Sequence, residues 1–369
     1  MIATLSMKIL MIGPFPEPID GCSLANSIFY QNVKKRNLQV QKIDTNTDIV
    51  SSKQGDTFSV QKAVSFLSKY LYCYKILSAD IIYFTPGQTF FGVMKYSPFL
   101  WLCQMFQKPY IIHVHGNYLG NEYQRLIGFK KKLFKQLLSK AAAGIILSRS
   151  LKNNFYNLLP ESKIFIVENF ASNDIYSVQK KKKTDKLRIL YLSNLIAEKG
   201  ILYLLKALVI LNQTNIDFYA VLAGIIDAKI EAEVNELLKE LKGKVVYKGV
   251  LGGDNKLREL WNANVFVLPT FYPMEGQPIS LLEGIATGNV IITTKHAGIP
   301  DIVNETNGFF VEKQSADSLA SCLQNVSNNL PSYVNRFSKQ NSNYAASHFT
   351  EKKFTERILM VLTSALKTK

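Results

Sequence analysis

"VFVLPTFYPMEGQPISLLEGIATGNVIITT" (residues 265–294) reads as a strand, a turn, a helix and a second strand. "VFVLPT" (265–270) and "VIITT" (290–294) are near-continuous apolar runs of strand length. Between them Pro278 suits the first turn of a helix, where its missing N–H is not needed. Ile279, Leu281, Leu282, Ile285 and Ala286 give that helix a broad buried arc, and Gly288 is a natural stop. Buried strand, helix, buried strand is the repeating unit of a parallel sheet covered on both faces. Two carboxylates interrupt the pattern. Glu275 sits in the turn, and Glu283 sits at the edge of the apolar arc, an awkward place for a carboxylate without a partner.

The same rhythm extends outward in both directions. "KILMI" (8–12), "VQKI" (40–43), "IIYF" (81–84), "YIIHVH" (110–115), "GIIL" (144–147) and "IFIV" (164–167) are strand candidates. Helical patterns near 24–36, 60–77, 90–106, 123–140 and 150–158 lie between them. After a lysine run, "KKKKTDK" (180–186), the strands resume with "LRILYL" (187–192), "FYAVLAG" (218–224) and "VVYKG" (245–249). The opening stretch follows, and then "GFFV" (308–311). Helices are expected from 199, near 229–241, near 256–262 and over about 351–367. The fold class expected is α/β, two Rossmann-like doubly wound parallel-sheet domains facing a cleft. The boundaries fall at 1–170, a linker at 171–187, and 188–350, with 351–369 as a closing helix placed to pack back on the first domain.

A chain of 369 residues with 47% hydrophobic and 20% charged residues can build two cores of ordinary size. Cys22, Cys73, Cys103 and Cys322 have no paired spacing, which indicates reduced thiols and neither a disulfide framework nor a zinc site. Lys8 interrupts the apolar start, so no signal peptide is expected. "FFGVMKYSPFLWLCQMF" (90–106) is too short to span a bilayer and contains Lys95 and Pro98; it reads as a buried helix or a surface one with an apolar face. The net charge of +16 implies an acidic partner. "FKKKLFKQLLSK" (129–140) sets five lysines beside Phe129, Leu133, Phe134, Leu137 and Leu138, a pattern suited to anionic headgroups, with a plain solvated face as the alternative. No motif supports nucleic-acid binding.

Ligands bind this architecture at the carboxyl ends of the strands, so the turns there carry the chemistry. After the first strand, "GPFPEPIDGCSLANS" (13–27) has Gly13 and Gly21 to relieve the backbone and a helix beginning near Ser23 to offer N–H groups to an anion. It matches neither a dinucleotide fingerprint nor a P-loop. In "HVHGN", His115 stands at a strand end before Gly116; His113 shares its face, but no third metal ligand accompanies them. In "SNLIAEKGI" (193–201), Lys199 and Gly200 open a helix, where the macrodipole disfavours a lysine unless an anion sits there too. The helix from Pro278 offers its own free N–H groups to a phosphate. Glu275 and Glu283 are suited to accept from sugar and ribose hydroxyls, flanking one nucleotide-sugar.

These residues resemble the retaining glycosyltransferases of family 4, of two-Rossmann GT-B architecture. "EGQPISLLEGIATGNVIITTKHAGIPDIV" (275–303) resembles the family's E-x7-E segment and following glycine-rich turn. "YLSNLIAEKG", "HVHG", "GPFPEPIDGCSLAN" and "NGFFVE" (307–312) resemble four further family segments, and the likeness runs from about 7 to 330, stronger in the second domain. The resemblance implies an acceptor-binding first domain and a donor-binding second one. It implies that Glu283 holds the ribose, Glu275 lies against the donor sugar, Lys199 binds the diphosphate and His115 contacts the transferred sugar. Gly21 would admit the backbone to the phosphates, and the N–H groups of the stretch Gly276, Gln277, Pro278, Ile279 and Ser280 would complete the phosphate site. Asn194 stands where family members usually carry arginine.

The activity implied is metal-independent, cofactor-free transfer of a hexose or N-acetylhexosamine with retention. The donor is a nucleotide-diphosphate sugar, uridine nucleotides first and guanosine nucleotides second. The acceptor is a glycan or lipid-linked saccharide of surface polysaccharide biosynthesis, in the cytoplasm or on the inner membrane face. A nucleotide-sugar epimerase, or a weakened nucleotide-sugar-binding protein, would share the nucleotide site.

Overall fold

The computed structural model describes residues 7–46, 66–177 and 180–367. The chain separates into two compact units, Met1–Asn169 with Glu351–Lys369, and Phe170–Thr350.

The first unit is built on a parallel sheet of six strands: β1 (Lys8–Gly13), β2 (Gln39–Asp44), β3 (Ile81–Phe84), β4 (Tyr110–Val114), β5 (Ala143–Ile146) and β6 (Ile164–Ile166), in the order β2-β1-β3-β4-β5-β6. β3, β4 and β5 are buried throughout, which is why they read as unbroken apolar runs rather than alternating ones. The helices of seven residues or more are α1 (Gly21–Lys35), α2 (Ser97–Met105), α3 (Leu119–Arg125) and α4 (Gly128–Ser139), with α11 (Glu351–Lys367) added from the chain end. α11 packs on α1, where Asn32 donates to Thr355 Oγ1 at 3.1 Å and Arg36 pairs with Glu356 at 3.3 Å.

Several helical expectations are corrected here. The pattern at 90–106 divides into a turn at Phe90–Met94 and α2, with Pro98 in the first turn of the new helix. The pattern at 123–140 divides before Gly128, whose φ of +54° the L-residues on either side would resist. Residues 149–155 are 3-10 rather than α-helical. The helix expected over 60–77 lies outside the described residues up to 65; beyond them it becomes a 3-10 segment at Ser68–Tyr72 and one turn at Lys75–Ser78. On α4 the apolar side is turned inward. Phe134, Leu137 and Leu138 are buried in the unit's own core, so of the five apolar residues expected to meet headgroups only Phe129 is broadly exposed, while Lys130, Lys132, Lys135 and Lys140 face outward.

The second unit repeats the plan: β7 (Leu187–Leu192), β8 (Phe218–Ala223), β9 (Val245–Tyr247), β10 (Val265–Leu268), β11 (Val290–Thr294) and β12 (Gly308–Val311), all parallel in the order β12-β11-β10-β7-β8-β9. Its helices of eight residues or more are α5 (Ile201–Gln213), α6 (Glu231–Glu240), α7 (Gly253–Asn262), α8 (Ile279–Ala286), α9 (Ala316–Asn328) and α10 (Leu330–His348). From β7 the chain winds one way to β8 and β9; β10 then starts on the other side of β7 and winds away to β11 and β12. The switch point therefore lies between β7 and β10, and it is their carboxyl-end loops that flank it.

The stretch expected as a linker, 171–187, packs on this unit. Ala171 bridges Thr350, Ile175 is buried, and Lys182 is 5% exposed. The Lys182 ammonium donates to the carbonyls of Leu260 (2.9 Å), Trp261 (3.3 Å) and Ala263 (2.7 Å) and to Asn289 Oδ1 (3.2 Å). It caps the end of α7, where free carbonyls and the negative end of the helix dipole favour a cation. Burial holds its pKa well below the ordinary lysine value.

Candidate functional site

The β7–β10 switch point brings together residues separated widely in sequence. The loop after β7 makes a 3-10 turn over Ala197–Lys199 and enters α5 through Gly200. Gly200 has φ +81°, and a Cβ there would stand 2.2 Å from the Pro269 carbonyl oxygen, so glycine is required where the two loops touch. The loops are also tied by Phe271 N donating to Glu198 O at 2.8 Å. That contact sets Lys199 Nζ 2.5 Å from Glu275 Oε2 and 5.1 Å from the centre of the Tyr272 ring. Thr270 Oγ1 donates to the same Glu275 oxygen at 3.2 Å. The anion that offsets Lys199 is thus Glu275 itself, and Lys199 stands one turn ahead of α5 rather than within it.

Glu283 answers differently. It lies on α8, 2% exposed, and its Oε1 meets Lys256 Nζ of α7 at 2.6 Å. The awkward carboxylate has a lysine partner. Pro278 is the residue before α8 rather than its first, extended at ψ 123°, and no side chain caps the helix start. The first N–H groups of α8, at Ile279 and Ser280, follow the buried run Glu275, Gly276, Gln277 and Pro278 directly. A further brace comes from the loop after β11. Gly298 N donates to Gly276 O at 3.0 Å, and His296 bonds the Tyr272 carbonyl through Nε2 at 2.7 Å and Lys313 through Nδ1 at 3.1 Å. Burial lowers the His296 pKa, which keeps the ring neutral between a carbonyl and an ammonium.

Asn194 has a structural task. Its Oδ1 accepts from Ile225 N at 3.3 Å, beside the Leu195–Ile226 bridge, so its side chain ties the loop after β7 to the loop after β8. It brings no positive charge to the Lys199 end of the site.

The other two candidates, Gly21 and His115, belong to the first unit. α1 starts at Gly21, earlier than expected, and its N-terminus is closed by its own chain: Asp20 Oδ1 accepts from Ser23 N at 2.7 Å, and Ser23 Oγ accepts from Asp20 N at 2.9 Å. The free N–H groups expected there are partly spent on that capping box. Among the described residues nothing lies within 4 Å of where a Gly21 Cβ would stand, so the fold itself does not demand glycine there, unlike Gly13, whose Cβ would meet Thr85 Oγ1 at 1.9 Å. His115 follows β4 with its ring centroid 4.1 Å from that of His113. His113 is fully buried and bonds Tyr83 OH through Nδ1 at 2.5 Å, while its Nε2 has no partner among the described residues. Both ring nitrogens of His115 are shielded from solvent and have no partner among the described residues, the state of a group awaiting one. Burial pushes its pKa down to about 3, so the ring is neutral at physiological pH.

Thr270, Tyr272, Lys256 and His296 were missed by sequence reading. Thr270 and Tyr272 could have been suspected from their place after β10. Nothing in sequence links Lys256 to Glu283, because that pairing depends on how α7 and α8 pack.

The architecture and the switch-point site place the molecule among the GT-B folds. Comparison with known proteins agrees. Residues 172–343 match the family model described as Glycosyl transferases group 1. The chain matches that model over less than half of its length. It is 27% identical over 238 residues to the uncharacterized glycosyltransferase MJ1607 of Methanocaldococcus jannaschii, covering 59% of each chain. It is 28% identical over 146 residues to the amylovoran biosynthesis glycosyltransferase AmsK of Erwinia amylovora, covering 38% of this chain and 36% of that one. The chain therefore aligns with only about three fifths and one third of these relatives. In fold it is similar to Alr3699/HepE of Anabaena, solved in complex with UDP, with a TM-score of 0.73, 14% identity, and 97% of this chain and 100% of that one covered.

Proposed function

We propose that this protein is a retaining glycosyltransferase that moves a hexose or N-acetylhexosamine from a UDP-sugar to a glycan or lipid-linked acceptor in surface polysaccharide biosynthesis. The observation that carries the reading is the Lys199–Glu275 pair at the β7–β10 switch point, with Glu283 buried on the adjoining α8. Support for the donor comes from the UDP held by HepE, and support for the setting from the name of AmsK.

In this reading the donor diphosphate takes over Lys199 and the N–H groups at the start of α8, including those of Ile279 and Ser280. Glu275, released from Lys199, accepts a hydroxyl of the donor sugar, and Glu283 accepts the ribose hydroxyls. His115 is the first unit's candidate for contact with the transferred sugar, and Gly21 for close approach of backbone to phosphate. The bond from the anomeric carbon to the diphosphate oxygen breaks, and its electron pair leaves with the diphosphate. The acceptor oxygen bonds the same face of the carbon, and its proton passes to a diphosphate oxygen. We assign the leaving-group charge to Lys199 and the α8 dipole rather than to a metal ion. Asn194 contributes no charge, so Lys199 bears more of this work than an Arg-Lys pair would demand of it. The acceptor is handled in the cytoplasm or at the inner membrane face; among the described residues no helix is long and apolar enough to cross a membrane.

The test is UDP release from a panel of UDP-sugars, with GDP-mannose alongside, in the presence of lipid-linked saccharide extracts. Wild-type protein should release UDP from one donor and give a product of unchanged anomeric configuration. Lys199→Ala should lower turnover by about a hundredfold or more, the scale of losing one oxyanion-type donor. Interconversion of UDP-sugars without UDP release would instead assign an epimerase.

A further inference from the structure

A surface helix normally turns its charged side to water, and α2 has none to turn. Its sequence, SPFLWLCQM, contains no charged residue. Phe99, Leu100 and Cys103 fill the core, yet the opposite side carries Trp101 (46% exposed) and Met105 (65%), followed by Phe106 (45%). Such a helix is expected to be covered on both sides. The neighbouring segment continues the surface. The Tyr70 ring packs at a tilt against Phe99, centroids 5.4 Å apart, and Lys75–Ser78 packs against α2, leaving Leu71 (77% exposed) and Tyr74 (64%) outward. Lys108 ties the two together by donating to Leu77 O and Ala79 O, each at 2.8 Å. α4 also packs on α2, with Phe129 exposed.

We infer that this face, centred on α2 and the 71–77 segment, seats the first unit on an anionic lipid bilayer. The occupant is identified by chemistry. Exposed Tyr, Trp and Phe beside Leu and Met, with no acidic residue among them, match the interfacial layer of a bilayer, where amphipathic rings sit at headgroup depth. Lysines border them: the Lys75 ammonium lies 5.0 Å from the Tyr72 ring centre. From Phe66 to Lys140 the sequence holds nine lysines and one arginine against Asp80 and Glu122 alone. That imbalance gives the headgroup attraction which burial of a few side chains needs for stable docking. The inference rests on the proposed function only in supplying a reason, a lipid-linked acceptor, for the enzyme to sit there.

Trp101 reports on this directly, since Trp261 is the only other tryptophan and is 7% exposed. Full-length protein is titrated with phosphatidylglycerol vesicles while tryptophan emission, flotation and sedimentation are followed. The expected result is a blue shift quenched by brominated lipid, absent in Trp101→Phe, together with at least tenfold weaker vesicle binding by Trp101→Glu/Met105→Glu. UDP binding by the double variant shows that it is folded. If wild-type protein neither floats nor shifts, the inference is overturned. It is equally overturned if the protein is a dimer without lipid and the double variant is a monomer, which would assign the face to self-association. UDP binding that fails in all variants, with vesicle binding intact, would instead overturn the proposed function and leave this surface standing.

Discussion

At the residue scale the two histidines at the carboxyl end of β4 divide the work. His113 is spent on Tyr83 and the core, and His115 is left with two shielded, unpartnered nitrogens. Both are held neutral by burial, His115 down to about 3 and His113 well below the ordinary 6.5. In the unfolded chain each takes up a proton as the pH falls through 6.5, while the folded state does not. Their stabilising contribution is therefore complete above 6.5 and is lost as the pH drops toward the folded values. Each can contribute a slope of up to about 1.4 kcal/mol per pH unit in that window. Urea midpoints measured from pH 7.5 to 5 should fall steadily in the wild type. They should fall less steeply in His113→Phe and in His115→Gln; an unchanged slope in both would contradict the assignment.

At the scale of elements, the sequence was most legible where burial forces a simple pattern. All twelve strands of the described residues overlap strand candidates read from the sequence, most plainly β3, β4, β5, β10 and β11, whose two covered faces leave no polar side to confuse the reading; β2, largely exposed, departs from the apolar pattern. Helices were less legible. α9 and α10 went unread between Ala316 and His348: the buried stripe of α10 runs Leu330, Val334, Phe337, Asn341, Ala345, and Asn341 breaks its apolar period. Its polar character is explained by two carbonyls, Asn289 O and Asn307 O, each 2.9 Å from its amide nitrogen. The lysine run shows the opposite error. Read as part of a linker, it contains in Lys182 the cap of α7, and no sequence signal separates that lysine from its neighbours. Lys182→Met should cost about 2–4 kcal/mol, the scale for leaving several buried carbonyls unpaired. Lys181→Met, at an exposed position one residue away, should stay within about 0.5 kcal/mol. Equal effects in chemical denaturation would remove the capping role.

At the scale of the whole molecule, each unit is a doubly wound sheet with its own core, and Lys199, Glu275 and Glu283 all lie in the second. Glu275, Glu283 and Lys199 were readable as a group because the switch point follows from strand order. Their internal partners were not, because the Lys199–Glu275 contact depends on loop geometry and the Lys256–Glu283 contact on helix packing. The central claim is that this site holds a nucleoside diphosphate through these side chains. Calorimetric titration of UDP, GDP and ADP into wild type, Glu283→Gln and Lys199→Ala tests it most directly. The account predicts binding of UDP in preference to the others, weakened at least tenfold by either substitution. Binding of equal strength in all three proteins would contradict it and return both carboxylates to a purely structural role.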